Sequence, residues 1–172
     1  MNRLNVLTLI VVAGISLAQP AVATDVQAVA APDFSLPVDR GQLHLAELRG
    51  KVVYLDFWAS WCSPCRSSFP WMNEMQARYG DKGLVTVAVN VDKDKAPAKE
   101  FLAQLPAKFT IAYDPQGSVA SMYQIIGMPS SFLIDRDGKI QYSHAGFREK
   151  DKADLESQIR QLVSQSPNPQ PM

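Results

Sequence analysis

Two cysteines stand three positions apart in Trp61-Cys62-Ser63-Pro64-Cys65, and they are the only cysteines in the 172-residue sequence. Sulfurs this close can cycle between a dithiol and a disulfide, moving two electrons per cycle. The thiolate is the attacking species, so its pKa governs the rate. The strand-like run Val52 to Trp58 precedes the pair, and a helix-like stretch from Pro64 to Tyr79 follows it. The cysteines therefore fall where a central strand ends and a helix begins. A helix N-terminus offers free N–H groups and a positive dipole end, and both stabilise a thiolate. Cys62, at the first turn, is expected to be exposed and acidic. Cys65, one turn inside, is expected to be more buried and less ionised. Cys62 would then attack a disulfide, and Cys65 would resolve the mixed disulfide by attacking Cys62. Pro64 suits a first helical turn, where a missing N–H costs nothing. Ser63 and Pro64 lie between the sulfurs and are expected to influence the redox potential.

Two other uses of the pair stay open. A structural disulfide would close a loop too short to constrain much of the unfolded chain. A zinc site would need two further ligands, and the only histidines, His44 and His144, show no paired spacing. No metal and no cofactor is expected.

Other residues join the candidate site. Asp56 interrupts the buried strand six residues before Cys62. Desolvation should raise its pKa, which suits a proton acceptor for Cys65; the alternative is a buried acid satisfied by backbone or water. Met128-Pro129 precedes a strand, where proline is sterically allowed. A cis bond there could present the Met128 backbone to an extended substrate, and spacing alone does not decide. Trp61 flanks the reactive sulfur and could shield it and contact substrate. Trp58, Trp71, Met72, Met75 and Met122 fit core positions better than cofactor contacts.

The elements around the site alternate. Pro32 to Pro37 reads as an edge segment, and Leu43, Leu45 and Leu48 form a short leucine-spaced stretch. Helical spacing of Phe69, Met72, Met75 and Gln76 marks the cysteine helix, which Pro70 should kink and Gly80 should close. Leu84 to Val91 reads as a buried strand, Ala96 to Leu105 as a helix, Phe109 to Tyr113 as a short strand and Val119 to Tyr123 as a short helix. Ser131 to Ile134 and Lys139 to Ser143 read as strands joined at Arg136-Asp137-Gly138. Leu155, Ile159 and Leu162 share one side of an amphipathic helix from Asp151 to Ser164. Alternating strands and helices imply parallel pairing, with the late hairpin adding an antiparallel part. The expectation is one α/β domain over 24–165, with a mixed sheet flanked by helices.

Composition narrows the function class. Apolar residues make up 47% of the chain, and 17 basic side chains balance 17 acidic ones. No basic excess points to nucleic acid as a partner. Met1-Asn2-Arg3, the apolar run Leu4 to Ala18 and Ala21-Val22-Ala23 read as a signal peptide cleaved before Thr24. A retained anchor is the alternative, although the run is shorter than the ~20 residues that span a bilayer comfortably. Residues 24–31 read as a loose leader. Residues 166–172, with three prolines, read as a disordered tail.

Leu55-Asp56-Phe57-Trp58-Ala59-Ser60-Trp61-Cys62-Ser63-Pro64-Cys65 closely resembles the active-site segment of the thioredoxin superfamily. Ala31-Pro32-Asp33-Phe34-Ser35-Leu36 together with Leu48-Arg49-Gly50-Lys51-Val52-Val53 resembles the TlpA/ResA branch, which holds exported thiol-disulfide oxidoreductases. Gly127-Met128-Pro129-Ser130-Ser131-Phe132-Leu133-Ile134-Asp135 resembles the family's cis-proline loop, and Pro70 its helix proline. Lys93 to Gln124 resembles the helix-strand insertion of that branch. The resemblance implies a thioredoxin-like fold and a Cys62–Cys65 redox disulfide. It implies a cis Pro129 and protein disulfides as substrates. It further implies a periplasmic location, a membrane thiol donor of the DsbD type, a monomer and, for part of the branch, cytochrome c maturation. Two positions depart from it. Ser68 stands where ResA-type proteins carry glutamate, and Ala88 stands where thioredoxin carries a lysine near its buried aspartate. Two rival activities keep the same fold: a thiol-dependent peroxidase, although no Pro-x-x-x-Thr-x-x-Cys pattern precedes Cys62, and a copper-binding module using both sulfurs as ligands.

Overall fold

The computed structural model describes residues 29–165. In chain order the elements are β1 (Ser35–Pro37), β2 (Gln42–His44), β3 (Val52–Trp58), α1 (Ser63–Tyr79), β4 (Leu84–Asn90), α2 (Lys95–Gln104), β5 (Thr110–Tyr113), α3 (Ser118–Met122), β6 (Ser130–Ile134), β7 (Ile140–Ala145) and α4 (Lys152–Ser164). A five-stranded sheet runs in the order β5-β4-β3-β6-β7. Its β3, β4 and β5 are parallel, and β6 and β7 are antiparallel to their neighbours. This is the mixed sheet with flanking helices that the sequence implies.

Strand β3 is the centre, and all of its residues are buried. Successive side chains of a strand point to opposite faces. Val52, Tyr54 and Trp58 enter one core with Phe69, Met72 and Met75 of α1, Phe101 of α2 and Ile159 of α4. Val53, Leu55 and Phe57 enter the other core with Leu36, Leu45, Val119 and Tyr123. Each large apolar side chain removed from water contributes about 1.5–3 kcal/mol. By this alternation Asp56 faces the α1 side, between Tyr54 and Trp58.

Four expectations change, the first being Met122, which ends α3 46% exposed rather than in the core. The Pro32–Pro37 segment is half of a hairpin: Ser35 faces His44 across β1 and β2, and Gly41 makes the turn with φ +90°. A three-residue strand is too short to display alternation in sequence. The end of the leader is not loose, because Ala31 N–H donates to Gly138 O at 3.0 Å and Ile140 N–H to Val29 O at 2.8 Å. The chain turn after α1 is made by Gly83 rather than Gly80. Gly80 keeps right-handed helical angles, and Gly83, at φ +97°, makes the left-handed stop. Pro70 lies inside α1 without ending it. The leader before Val29, the signal segment and the tail lie outside the described residues.

Two side chains tie neighbouring segments together. Gln76 of α1 reaches the part of β4 that β5 does not cover, accepting from Thr86 N–H at 2.8 Å and donating to Leu84 O at 3.3 Å. Arg136, in the β6–β7 turn, donates to four main-chain carbonyls: Gly50, Lys82, Val163 and Gln165, at 2.8 to 3.3 Å.

Candidate functional site

Helix α1 begins at Ser63, so Cys62 occupies its N-cap and Cys65 its first turn. The Cys65 N–H donates to Cys62 Sγ at 3.2 Å, the bond by which a cap satisfies an orphan helix donor. A charged sulfur would accept that bond more strongly and would face the positive end of the helix. The two sulfurs are joined in a disulfide. One expectation needs correction here: Cys62 is 3% exposed and Cys65 is 0%. With the disulfide closed, the expected contrast in exposure between the two cysteines is nearly absent.

The neighbours of the disulfide reach solvent instead. Trp61 is 70% exposed, and Ser63 and Pro64 are exposed beside it. A groove of about 220 Å³ next to Trp61 is lined by Ser60, Arg66, Pro97, Glu100, Phe101 and Gln104, so α2 contributes one wall. Arg66 closes over Phe101, 5.1 Å from the ring centroid, and donates to Gln104 at 2.8 Å.

The turn that carries Cys62 is anchored from β4. Asp92 accepts from the Ser60 N–H at 2.9 Å and the Ser60 hydroxyl at 3.1 Å, and Asn90 donates to the same carboxylate at 2.8 Å. Sequence reasoning passed over Asn90 and Asp92. Their signal was present: polar residues closing an apolar strand, at the carboxyl end of a parallel pair, where α/β sheets place their sites.

Met128-Pro129 is cis. Ser130 pairs with Phe57, so antiparallel β6 begins beside the end of β3 and the proline lies at the cysteine end of the sheet. Pro129 is buried, and its carbonyl accepts from Gly146 N–H at 2.7 Å. Met128 packs against the core that holds both cysteines. Among the described residues no backbone hydrogen bond engages Met128.

Asp56 is 1% exposed, and its Oδ2 has no hydrogen-bond partner among the described residues. It faces Ala88 on β4 and Ser131 on β6. Burial pushes its carboxyl well above the ordinary value of 3.8. The methyl group of Ala88 stands where the resemblance places a lysine, so no cation on that strand opposes the rise. Burial also raises the Tyr54 phenol, the Asp56 charge adds to this, and the neighbouring Ser131 side chain partly offsets it. Cys65 packs in the same core as Tyr54 and Trp58, the residues flanking Asp56 on that face. Ser68 is buried and donates to Cys65 O at 3.0 Å, so it caps a main-chain carbonyl and offers no acid.

The structure thus gathers the sulfurs, the exposed rim of Trp61, Ser63 and Pro64, the cis Met128-Pro129 turn and the face of β3 bearing Asp56 at one end of the sheet. A family model described as Redoxin matches residues 27–159. The thiol-disulfide oxidoreductase ResA of Bacillus thuringiensis subsp. konkukian is 36% identical over 134 residues, covering 77% of this chain and 76% of that protein. A solved structure of a candidate thiol:disulfide interchange protein DsbE from Chlorobium tepidum is 55% identical with a TM-score of 0.78, covering 80% of this chain and 97% of that one. A candidate protein disulfide isomerase from Bacteroides thetaiotaomicron is 28% identical with a TM-score of 0.74, covering 80% and 90%. The chain belongs to the Redoxin family of thioredoxin-like proteins and is a thiol-disulfide oxidoreductase.

Proposed function

We propose that this oxidoreductase is exported and reduces protein disulfides in the periplasm, with Cys62 as nucleophile, Cys65 as resolving thiol and Asp56 as the base for Cys65. The observation that carries the reading is the capped helix start. Cys62 Sγ holds the Cys65 N–H at 3.2 Å, so the cap bond favours charge on the first sulfur. The Cys62 thiolate attacks one sulfur of a substrate disulfide and expels the other as a thiolate. Asp56 then takes the Cys65 proton. The new thiolate attacks Cys62 Sγ, forms the Cys62–Cys65 disulfide and releases the second substrate thiolate. Two electrons pass to the substrate, and both released thiolates take protons from water.

Trp61, Ser63, Pro64, Met128 and Pro129 form the substrate-facing rim. The free Met128 backbone suits strand-like pairing with an extended chain. Returning the enzyme to its dithiol form needs an external dithiol, and a membrane donor of the DsbD type fits a reductase working in an oxidising compartment. Residues 1–23 serve as the signal peptide, 24–165 as the catalytic domain and 166–172 as a tail, in a protein acting as a monomer. Apocytochromes awaiting haem are the favoured substrates, because cytochrome c maturation needs reduced cysteines.

The test is capture. Cys65→Ser expressed in the envelope should accumulate mixed disulfides on Cys62, with apocytochromes or their assembly factors among the partners. Capture of many unrelated secreted proteins would assign general reduction or isomerisation instead. Alkylation of Cys62 no faster than that of a free cysteine would remove the nucleophile from the scheme.

A further inference from the structure

A buried acid that serves as a base must be able to lose its own proton. Asp56 is 1% exposed, and burial favours its protonated form. Such a carboxyl has no direct contact with bulk water, so its proton needs a route.

The sheet supplies a row of polar side chains leading away from it. Asp56 pairs with Ser131 across β3 and β6, and Ser131 pairs with His144 across β6 and β7. Residues directly opposite in antiparallel strands project to the same face, with Cβ atoms about 4.5–5.5 Å apart. All three therefore lie on the face covered by α1 and α4. Tyr54, two residues before Asp56, lies on the same face and lines the same pocket as Ser131. Beyond them is a half-open pocket of about 10 Å³ lined by Tyr54, Ser131, Tyr142, His144 and Gln158, with Leu133 and Leu155 among its apolar walls. That volume holds roughly one water, and a water needs two to four polar partners; the phenol, the hydroxyl, the imidazole and the Gln158 amide provide them.

Both ends of the row are unsatisfied. Asp56 Oδ2 and His144 Nε2 are buried polar atoms without a hydrogen-bond partner among the described residues. Nε2 lies 3.4 Å from Asp151 Oδ2, out of line for a hydrogen bond. That carboxylate is already held by Arg148 through bonds of 2.8 and 3.1 Å. The imidazole side chain is 26% exposed, so the ring reaches from the interior to solvent. An imidazole can accept a proton on one nitrogen and release one from the other.

We infer that His144 is a positioning and relay residue that connects Asp56 to solvent through Ser131, Tyr54 and one cavity water. The inference rests on the reading of Asp56 as the base for Cys65. In the step, the Asp56 O–H bond breaks and its proton enters the hydroxyl–water chain. Each member passes on one proton while receiving another. The His144 ring gains a proton on one nitrogen, and its other nitrogen gives one to bulk water. No electrons move. The titratable or charged groups around this path are Tyr54 on β3, Tyr142 on β7, and Arg148 and Asp151 beside His144; α4 contributes the neutral Gln158, and α1 contributes Cys65.

The test compares Asp56→Asn, His144→Phe and Ser131→Ala in the full chain. Stopped-flow kinetics on the reduced proteins separate Cys62 attack on a small disulfide from resolution by Cys65. His144→Phe should leave Cys62 attack unchanged and slow resolution roughly tenfold or more, changing its pH profile. Added imidazole should restore part of the rate, an outcome that a merely structural defect would not give. Ser131→Ala should slow the same step without imidazole rescue. If Asp56→Asn is slow while His144→Phe resolves at the wild-type rate and pH profile, the relay is wrong and the base assignment stands. If Asp56→Asn itself resolves normally, both are wrong. Loss of rate in His144→Phe that imidazole never restores also overturns the relay.

Discussion

Replacing Asp56 with Asn should change how the oxidised protein's stability depends on pH. The carboxyl is 1% exposed, its Oδ2 is unpartnered among the described residues, and burial holds its folded-state pKa well above 3.8. Below 3.8 both folded and unfolded chains carry the proton, and the group contributes no slope. Above 3.8 the unfolded chain releases the proton while the folded chain keeps it. Folded protein then binds one proton more, so stability falls as pH rises toward the folded pKa. One proton corresponds to about 1.4 kcal/mol per pH unit at most. Asn has no such proton. The stability of Asp56→Asn minus that of wild type should therefore climb by up to about 1.4 kcal/mol per pH unit inside the window and be flat below it. Groups common to both proteins cancel in the difference. The assay is urea denaturation with the disulfide intact, at intervals from pH 3.5 to about pH 8, checked for unchanged m-values. Parallel stability curves for the two proteins would show that Asp56 ionises as freely as in the unfolded chain, and the base assignment would lose its physical ground.

Three further outcomes follow from the packing. Arg136→Ala removes the donor to four carbonyls and should cost about 2 kcal/mol in denaturant unfolding, since the bonds are partly exposed; Arg136→Lys should recover little, because an ammonium lacks the planar fork. Gln76→Ala should cost about 1 kcal/mol, and hydrogen exchange should show the Thr86 amide opening faster. Asp92→Ala frees both Ser60 donors and should change the alkylation rate of Cys62 in the reduced protein while leaving the far-UV spectrum intact. An unchanged rate would mean that the turn holds its shape without the carboxylate.

The parts legible in sequence were those whose residues carry strong local signals. Val52 to Trp58 announces a buried strand by composition, and the Cys62-Ser63-Pro64-Cys65 spacing announces a helix start. What stayed hidden depends on contacts between distant segments. Gln42-Leu43-His44 becomes a strand only because β1 lies opposite. Asp92 becomes part of the site only because β4 lies beside β3. The near-burial of Cys62 depends on the segments packed around the helix start, which a reading of helix position alone does not supply. The cis bond at Pro129 was undecided by spacing and was indicated only by the resemblance of the surrounding loop.

The ties at Gly138 and Arg136 fix the polarity of the molecule. Val53 pairs with Ile134 at the start of β3, so the β6–β7 turn lies at the end of the sheet opposite the cysteines. Seven residues of strand separate the two ends, about 20 Å at strand rise. Val29 is bonded beside that turn, and Gln165 O is held by Arg136 in it. The chain therefore enters and leaves the described domain at the pole remote from the disulfide. An anchor or a fused partner attached at either point would therefore be joined about 20 Å from the disulfide end of the sheet.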